Sequence, residues 1–313
     1  MPENLVSMHS GKGRNKNMLY IKRKSIGSIV FDIFNYMFMI IFAFTIVYPF
    51  WNMFLLSFRD TQEAISLGFH FWNKNWYTTS YEYIFENSKI LVAYRNTIIR
   101  TITGTFLTIF ISIMGAYSLS KKNLPGRNII TIYYLIPMFF GGGLIPTYML
   151  IRSLGLMNSL WALILPGIVS SFNLIMMRNF IMTIDKEMEE SAFIDGASYI
   201  MILWKIIMPL SKPVIATITL WTAVYHWNAW FDALIYIRDE KKIVLQLLLR
   251  RMIQMTSIDM QTMLDRLMEQ SLKVHTSSVI AATTIITIGP IIMIYPFLQR
   301  YFVKGIMVGS LKG

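Results

Sequence analysis

Six long stretches of apolar residues constrain this chain more than any other feature of its sequence. Each is long enough to cross the hydrocarbon core of a bilayer as an α-helix, which takes about 20 residues. The composition agrees, because 55% of the 313 residues are hydrophobic and only 15% are charged, against about 25% charged in soluble domains. The sequence therefore predicts an all-α, polytopic membrane protein with six transmembrane helices. The predicted spans are about Ile33 to Leu56, Thr101 to Leu119, Ile129 to Ile151, Leu160 to Met182, Val214 to Tyr236 and Val279 to Phe302.

The net charge of +12 is distributed as in a membrane protein rather than a nucleic-acid-binding protein. Six basic residues precede the first span, and three more lie in the short segment 121–128. Such an excess of Lys and Arg is typical of cytoplasmic segments. We therefore expect a cytoplasmic basic segment at 1–28, a membrane domain at 29–313, both termini in the cytoplasm and no nucleic acid partner. The arginines expected to reach the interface from span ends are Arg100, Arg152 and Arg178.

The segment 183–212, between the fourth and fifth spans, predicts two short helices outside the bilayer. Acidic residues crowd its first turns, where the helix dipole favours carboxylates; on composition alone they would be a solvated surface turn. Gly196 is placed to end the first helix, because glycine readily adopts the left-handed conformation common at helix C-termini. The second helix has an apolar stripe that consists of Ile200, Leu203, Trp204 and Ile207, and Pro209 and Pro213 mark the return into the membrane. Such a pair of helices is typical of a docking element.

This segment resembles a motif of known transport proteins. Glu190-Ser191-Ala192, three residues, Gly196, nine residues and Ile206-Ile207-Met208-Pro209 resemble the EAA motif of permease subunits from binding-protein-dependent ABC importers. The family has alanine where Ser191 stands and leucine where Met208 stands. The resemblance extends over residues 85 to 313 and is to the maltose-type carbohydrate branch, in particular to oligosaccharide permeases of Gram-positive bacteria. Three further stretches carry it: Ala116 to Ser120 with Leu124 to Arg127, Tyr225 to Asn228 with Trp230, and Tyr295 to Gly305.

The resemblance implies a type I ABC importer permease fold and a set of partners. Such a subunit pairs with a second, homologous permease in the plasma membrane of a bacterium. Two cytoplasmic ATPase subunits dock on the permeases and bind the ATP and Mg²⁺. An extracellular solute-binding protein delivers the substrate, here a sugar and in particular an oligosaccharide, for import. The long segments 58–96 and 238–273 would be available to that binding protein outside the cell.

The resemblance also assigns roles within the segment 183–212, which we call the coupling loop. The residues expected to dock the ATPase are Glu187, Met188, Glu190, Ala192, Phe193, Asp195 and Gly196. The chain has no phosphate-binding loop of the Gly-x4-Gly-Lys-[Ser/Thr] type, in which backbone amides cradle the phosphates. We therefore expect a transport subunit that is not an enzyme and holds no cofactor of its own. The chain has no cysteine, so disulfides and thiolate chemistry are excluded.

The predicted fifth span carries a polar and aromatic face. Trp221, Tyr225, Asn228 and Asp232 recur at i, i+4, i+7 and i+11. Ionisable residues inside a membrane usually face an aqueous cavity, and aromatic rings beside amide and carboxylate groups suit a saccharide path. The same face could instead pack against another span or the partner permease, with Asn228 as an interhelical hydrogen-bond donor. His226 lies off this face, and we expect it to be a helix-contact histidine with satisfied hydrogen bonds rather than a metal ligand.

Three glycines, Gly141 to Gly143, interrupt the third span together with Pro137 and Pro146. They indicate either backbone exposed to a translocation path or close packing of helices through small residues. Two other classes of protein are alternatives. An ion-coupled secondary transporter would need carboxylates at mid-membrane, for which Asp232 is the candidate. A membrane enzyme would need clustered His, Asp or Glu, whereas the four histidines are scattered.

Overall fold

The structure is a computed structural model that describes residues 26–59, 71–262, 277–294 and 296. All regular secondary structure in these residues is helical, as predicted. The α-helices are α1 (Ile26–Ser57), α2 (Thr79–Glu86), α3 (Ser88–Ser120), α4 (Arg127–Phe139), α5 (Leu144–Ser153), α6 (Ser171–Ile181), α7 (Glu187–Ile194), α8 (Tyr199–Ile202), α9 (Met208–Leu210), α10 (Lys212–Asn228), α11 (Phe231–Tyr236), α12 (Leu245–Thr262) and α13 (Ser277–Ile294). Short helical turns are the 3₁₀ turns Leu160–Leu163, Leu165–Gly167 and Glu240–Lys242 and the π-helical turn Leu203–Ile207.

The chain divides after Phe50 into two units, which are described separately. In the first, the part of α1 up to Phe50 presents large apolar side chains that are exposed, among them Phe31, Phe38 and Phe42. A window of α1 reaches a mean hydropathy of 2.1. Such a helix is stable in lipid or against another apolar helix, because its apolar side chains would otherwise be exposed to water.

The second unit is built around α3, which packs along α10 and α6. We call the end of α3 at Ser120, beside the coupling loop, the loop end, and the end at Ser88 the far end. The loop-end core consists of Ile113, Ala116, Tyr117, Met177, Ile181, Ile202, Leu203, Ile207, Val214 and Ile218. The far-end core consists of Ala93, Ile151, Ala162, Leu163, Ala233, Tyr236, Ile237, Ile243, Val244 and Leu247. Both ends of α3 are thus anchored in apolar side chains from several other elements.

The number of candidate membrane spans agrees with the predicted six. Three helices, α1, α3 and α13, are long and apolar enough to cross a membrane by themselves. Three bent pairs pass the same test when each is counted as one span: α4 with α5, Leu160–Gly167 with α6, and Tyr199–Leu210 with α10. The bends are 115°, 46° and 79°.

Two predicted span boundaries are wrong in ways that affect the site. The second span was expected from Thr101, but α3 already begins at Ser88 and runs for 33 residues. The prediction followed the apolar run, and the first turns of the helix are less apolar than the rest. The fifth was expected to run unbroken to Tyr236, but α10 ends at Asn228 and α11 starts only at Phe231. The last residues of the predicted sixth span, 297–302, lie outside the described residues.

The glycines at 141–143 break the third span as predicted, between α4 and α5. Gly143 adopts the left-handed region, with φ +83°, which only glycine reaches without strain. A Cβ at Gly141 or Gly143 would meet no described atom of this chain within 4 Å. Within the described residues, these glycines therefore do not serve close packing against another helix of the same chain.

Candidate functional site

The coupling loop opens with α7, whose two ends are stabilised as its sequence predicts. Glu187, Glu189 and Glu190 lie in the first turn, where free N–H groups favour negative charge. At the other end Gly196 has φ +79°. Its N–H donates to the Phe193 carbonyl at 3.0 Å, and the Ala197 N–H donates to the Ala192 carbonyl at 2.9 Å. This is a Schellman motif, and the prediction that Gly196 ends the helix is confirmed.

Most of the predicted docking residues are exposed, either on α7 or directly after it. Glu187, Met188, Glu190, Phe193, Asp195 and Gly196 are all exposed. Ile194, which was not predicted, is the most exposed large apolar residue of the helix, at 87%. Ala192 differs, because it is half-buried and packs against the loop-end core. Its small side chain lets α7 approach that core, so it does not contribute to the outer surface.

The second half of the coupling loop corrects the predicted apolar stripe. Leu203 and Ile207 are buried as expected, but Ile200 and Trp204 are 71% and 40% exposed, and Ile202 is fully buried instead. The cause is the π-helical turn Leu203–Ile207, in which hydrogen bonds span five residues rather than four. The regular α-helical spacing therefore does not continue through it, and another set of side chains faces the core.

An ion pair joins α7 to α3. Lys121, the residue that follows α3, donates to Glu189 of α7, and the two side chains keep only 24% and 18% of their solvent exposure. The Lys121 Nζ also lies 4.1 Å from the centre of the Tyr117 ring and 6.0 Å from that of Tyr199, within the range of a cation–π interaction. Glu189 and Lys121 were not predicted as site residues, because nothing in the sequence pairs residues that are 68 positions apart.

Two arginines secure the loop end of α3. Arg127 Nε donates to the Leu119 carbonyl at 2.9 Å, and Arg178 Nε donates to the same oxygen at 3.2 Å. Carbonyls in the last turn of a helix lack intrahelical donors and attract cations. Arg178, which is predicted to reach the membrane interface, is half-buried and donates to this carbonyl at the loop end; its position relative to the membrane stays a prediction.

A recess of about 430 Å³ opens between α3, α6 and α10. Trp221 and Tyr225, two of the predicted path residues, line it. The Trp221 ring lies 6.0 Å from that of Phe172, and Asn173 Nδ2 donates to Thr222 Oγ1 at 3.4 Å. The volume is in the range of small-molecule sites. Aromatic surface beside amide and hydroxyl groups makes the recess suitable for a ligand with both apolar faces and hydroxyls.

Asn228 and Asp232, the other two predicted path residues, do not line this recess. Asn228 Oδ1 accepts a hydrogen bond from Gln246 at 3.3 Å. Asp232 lies beyond the break at Ala229, on α11, so the prediction that all four share one helical face is wrong for it. A helical repeat holds only while the helix is continuous.

Asp232 instead forms an ion pair with Arg100 of α3. The Arg100 side chain is fully buried, and it also donates to the carbonyls of Ala229 at 2.9 Å and Leu163 at 3.3 Å. The prediction that Arg100 reaches the membrane interface is therefore wrong. Since α3 starts twelve residues before Arg100, Arg100 lies within the helix rather than at its end. Its side chain joins α3 to the break between α10 and α11.

His226 is in helix contact as predicted, but it is not satisfied. It is buried, and α3 passes so close that a Cβ on Gly104 would lie 2.4 Å from His226 Nε2. Neither ring nitrogen has a hydrogen-bond partner among the described residues. Gly104 is thus required for the approach of α3 to α10.

Comparison with known proteins places these features in a family. A family model described as the inner membrane component of binding-protein-dependent transport systems matches residues 108–308. The chain belongs to this family. The family prediction made from the coupling loop is therefore confirmed, and with it the type I permease fold.

Individual relatives of this permease cover nearly its whole length. The protein LplC of Bacillus subtilis is 38% identical over 288 residues, which is 91% of this chain and 95% of that protein. The polygalacturonan/rhamnogalacturonan transport system permease protein YtcP of the same organism is 37% identical over 284 residues, covering 91% and 99%. A crystal structure of a bacterial ABC transporter involved in the import of the acidic polysaccharide alginate contains a chain with a TM-score of 0.79 and 32% identity, covering 89% of this chain and 99% of that one.

The family match includes some parts of the permease described above and leaves out others. The coupling loop, the recess and Lys121 all fall within residues 108–308, whereas Arg100 and the far end of α3 precede them. The contacts of α3 made by Arg100 and Lys121 became visible only in the structure, because each joins residues that are far apart in sequence. Membership makes the chain a membrane component of a transport system.

Proposed function

We propose that this permease is one of two membrane subunits of an ABC importer that moves an oligosaccharide into a bacterial cell. The observation that carries the proposal is α7: a short helix with exposed Met188, Phe193 and Ile194 at its surface, capped by Gly196 and held to the end of a long membrane helix. Exposed apolar side chains on a water-side helix favour a protein partner.

The partner expected on α7 is a cytoplasmic ATPase subunit, which would hold ATP and Mg²⁺. Contact between the two would depend mainly on the apolar side chains, because exposed ion pairs contribute under about 1 kcal/mol. Glu190 would add orientation by pairing with a basic residue of the ATPase. In this arrangement the loop end of the permease faces the cytoplasm, together with both termini. A second, homologous permease would complete the path.

The recess beside Trp221 and Tyr225 is proposed as part of that path. Phe172 and Trp221 offer ring faces, and Asn173, Thr222 and Ser170 offer hydrogen-bonding groups. A sugar has apolar faces and a rim of hydroxyls, so both kinds of group are useful to it. The names of the relatives mention polygalacturonan/rhamnogalacturonan and alginate, and they support an oligosaccharide, delivered by an extracellular binding protein.

The test is reconstitution of the complex. The permease, tagged and expressed together with its neighbouring genes, should co-purify with ATPase subunits and a second permease. In proteoliposomes it should take up an oligosaccharide when the binding protein is outside and ATP is inside. A panel of neutral and acidic oligosaccharides, each offered at the same concentration, would identify the substrate. Uptake by this chain alone, without any ATPase, would contradict the proposal.

The alternative of an ion-coupled secondary transporter predicts a different result. Uptake would then follow a proton or sodium gradient and stop when an ionophore dissipates it, whether or not ATP is present. Its candidate coupling residue, Asp232, is already paired with Arg100 in this structure. ATP-dependent import is therefore the function that the described residues favour.

A further inference from the structure

A polar contact joins the loop end of α3 to the coupling loop. Lys121 is surrounded by Glu189 of α7, the ring of Tyr117 and the ring of Tyr199. Tyr117 is itself 5% exposed and part of the loop-end core. An ordinary surface ion pair is weak because both charged groups are solvated and mobile. In the Lys121–Glu189 pair both side chains are largely shielded from solvent, and the Lys121 ammonium also contacts two aromatic rings.

From this contact α3 runs to the far end without interruption. Its 33 residues contain no proline and span about 50 Å at 1.5 Å per residue. The three spans that are built from pairs of helices are instead bent, by 115°, 46° and 79°. A continuous helix transmits a displacement along its axis, whereas a break absorbs part of it. Among the described residues of this unit, α3 is thus the longest unbroken helix.

The far end of α3 holds the segment that precedes α12. Asn96, which is 3% exposed, donates to the carbonyls of Lys241 and Ile243 at 2.9 and 3.0 Å. The Leu245 N–H donates to Thr97 Oγ1 at 2.9 Å. A third contact, between Lys89 and Glu240 at 2.7 Å, is exposed, and its hydrogen bond lowers the pKa of Glu240. The segment 240–245 is therefore fixed to α3 by buried hydrogen bonds.

We infer that the Lys121–Glu189 pair is the polar link, beside the apolar contacts of the loop-end core, through which a movement of α7 reaches α3 and, through α3, the segment 240–245. The inference rests on the proposed function, in which an ATPase moves α7. Lys121 and Glu189 are then positioning residues: neither contacts ATP or substrate. They differ from the docking residues because Glu189 is turned toward its own chain and Glu190 is exposed. ATP binding inside the cell would change the segment that faces the binding protein outside.

The test uses the whole complex and variants that remove the link without removing the docking surface. Glu189→Gln and Lys121→Met abolish the ion pair. Lys121→Arg is the charge-retaining variant, because a guanidinium also pairs with a carboxylate and lies over aromatic rings. Lys122→Met is the matched control, since Lys122 is the exposed neighbour. This chain has no cysteine, so in a complex with cysteine-free partner subunits a fluorophore on an introduced Lys241→Cys reports the far end.

Three quantities are measured: the ATPase subunits that co-purify, the stimulation of ATP hydrolysis by the loaded binding protein, and the fluorescence change on adding ATP. We expect Glu189→Gln and Lys121→Met to retain the ATPases but to lose stimulation roughly tenfold, a loss within the usual range of coupling between two sites. The fluorescence change should disappear with it. Lys121→Arg and Lys122→Met should behave as the unmodified chain.

Two results would overturn the inference. Normal stimulation and normal fluorescence in Glu189→Gln would show that the pair transmits nothing. Loss of the ATPase subunits from Glu189→Gln, in proportion to the loss of activity, would make Glu189 a docking residue instead. Failure of the proposed function would look different, because the unmodified complex itself would then show no ATP-driven uptake.

Discussion

Replacing Asp232 with asparagine removes one charge from the pair that joins α3 to the break between α10 and α11. Arg100 would remain charged and fully buried, with the Ala229 and Leu163 carbonyls as its acceptors. The introduced amide would retain an oxygen for hydrogen bonding but no negative charge. The Asp232→Asn variant therefore isolates the cost of an uncompensated charge in a buried position.

The magnitude follows from the environment of the two partners. Removing one partner of a buried ion pair costs about 3–5 kcal/mol. The Asp232 side chain keeps 26% of its exposure while Arg100 keeps none, so we expect the lower end of this range, about 3 kcal/mol. At roughly 2 °C per kcal/mol for a large chain, the unfolding temperature should fall by roughly 6 °C. The double variant Arg100→Met with Asp232→Leu should recover more than half of the loss, because no charge is then left buried.

The assay is thermal unfolding of the detergent-purified complex, followed by intrinsic fluorescence for Asp232→Asn and for the double variant with its two single variants. Arg100→Met, Asp232→Leu, the double variant and the unmodified chain form a double-mutant cycle that isolates the energy of the pair. Transport is measured in parallel at a temperature where all the proteins remain folded. Unchanged stability of Asp232→Asn would refute the reasoning, and abolished transport in that stable variant would give Asp232 a role in the transport path instead.

Three further predictions concern the coupling loop, the recess and the helix packing. Gly196→Asp should leave membrane insertion intact but abolish co-purification of the ATPases. A residue with a Cβ in the left-handed conformation costs about 1–2 kcal/mol, and the new carboxylate lies on the docking surface. Normal uptake by cells that carry this variant would contradict the prediction. Trp221→Ala should change the preference among oligosaccharides in the uptake panel. Trp161→Ala should not change it, because Trp161 is similarly exposed but lies outside the recess. An equal loss of uptake for every sugar in Trp221→Ala would favour a packing role for Trp221. Gly104→Ala places a methyl group 2.4 Å from His226 Nε2 and should destabilise the complex by about 1–3 kcal/mol. In the same thermal assay, adding His226→Ala should restore part of this stability. Full stability of Gly104→Ala alone would rule out a steric clash between the methyl group and the His226 ring.

Local features were predictable because they depend on residues close in sequence. The capping of α7 by Gly196 needs only one residue that tolerates positive φ after an acidic helix. The apolar stripe was predicted only in part, since Ile200 is exposed and Ile202 is buried. A π-helical turn has no clear sequence signal, because it appears where packing against a core overrides the regular hydrogen-bond pattern.

The membrane class, the number of spans and the coupling loop follow from the sequence by itself, because runs of apolar side chains and helix-ending residues act locally wherever the chain goes. The partners of Arg100, Lys121 and His226 were decided by the tertiary structure. Each of these side chains faces a group that is distant in sequence, so its partner is set by how the helices pack and not by the residues next to it. The energy that selects these partners comes from contacts between helices, which no single stretch of sequence specifies.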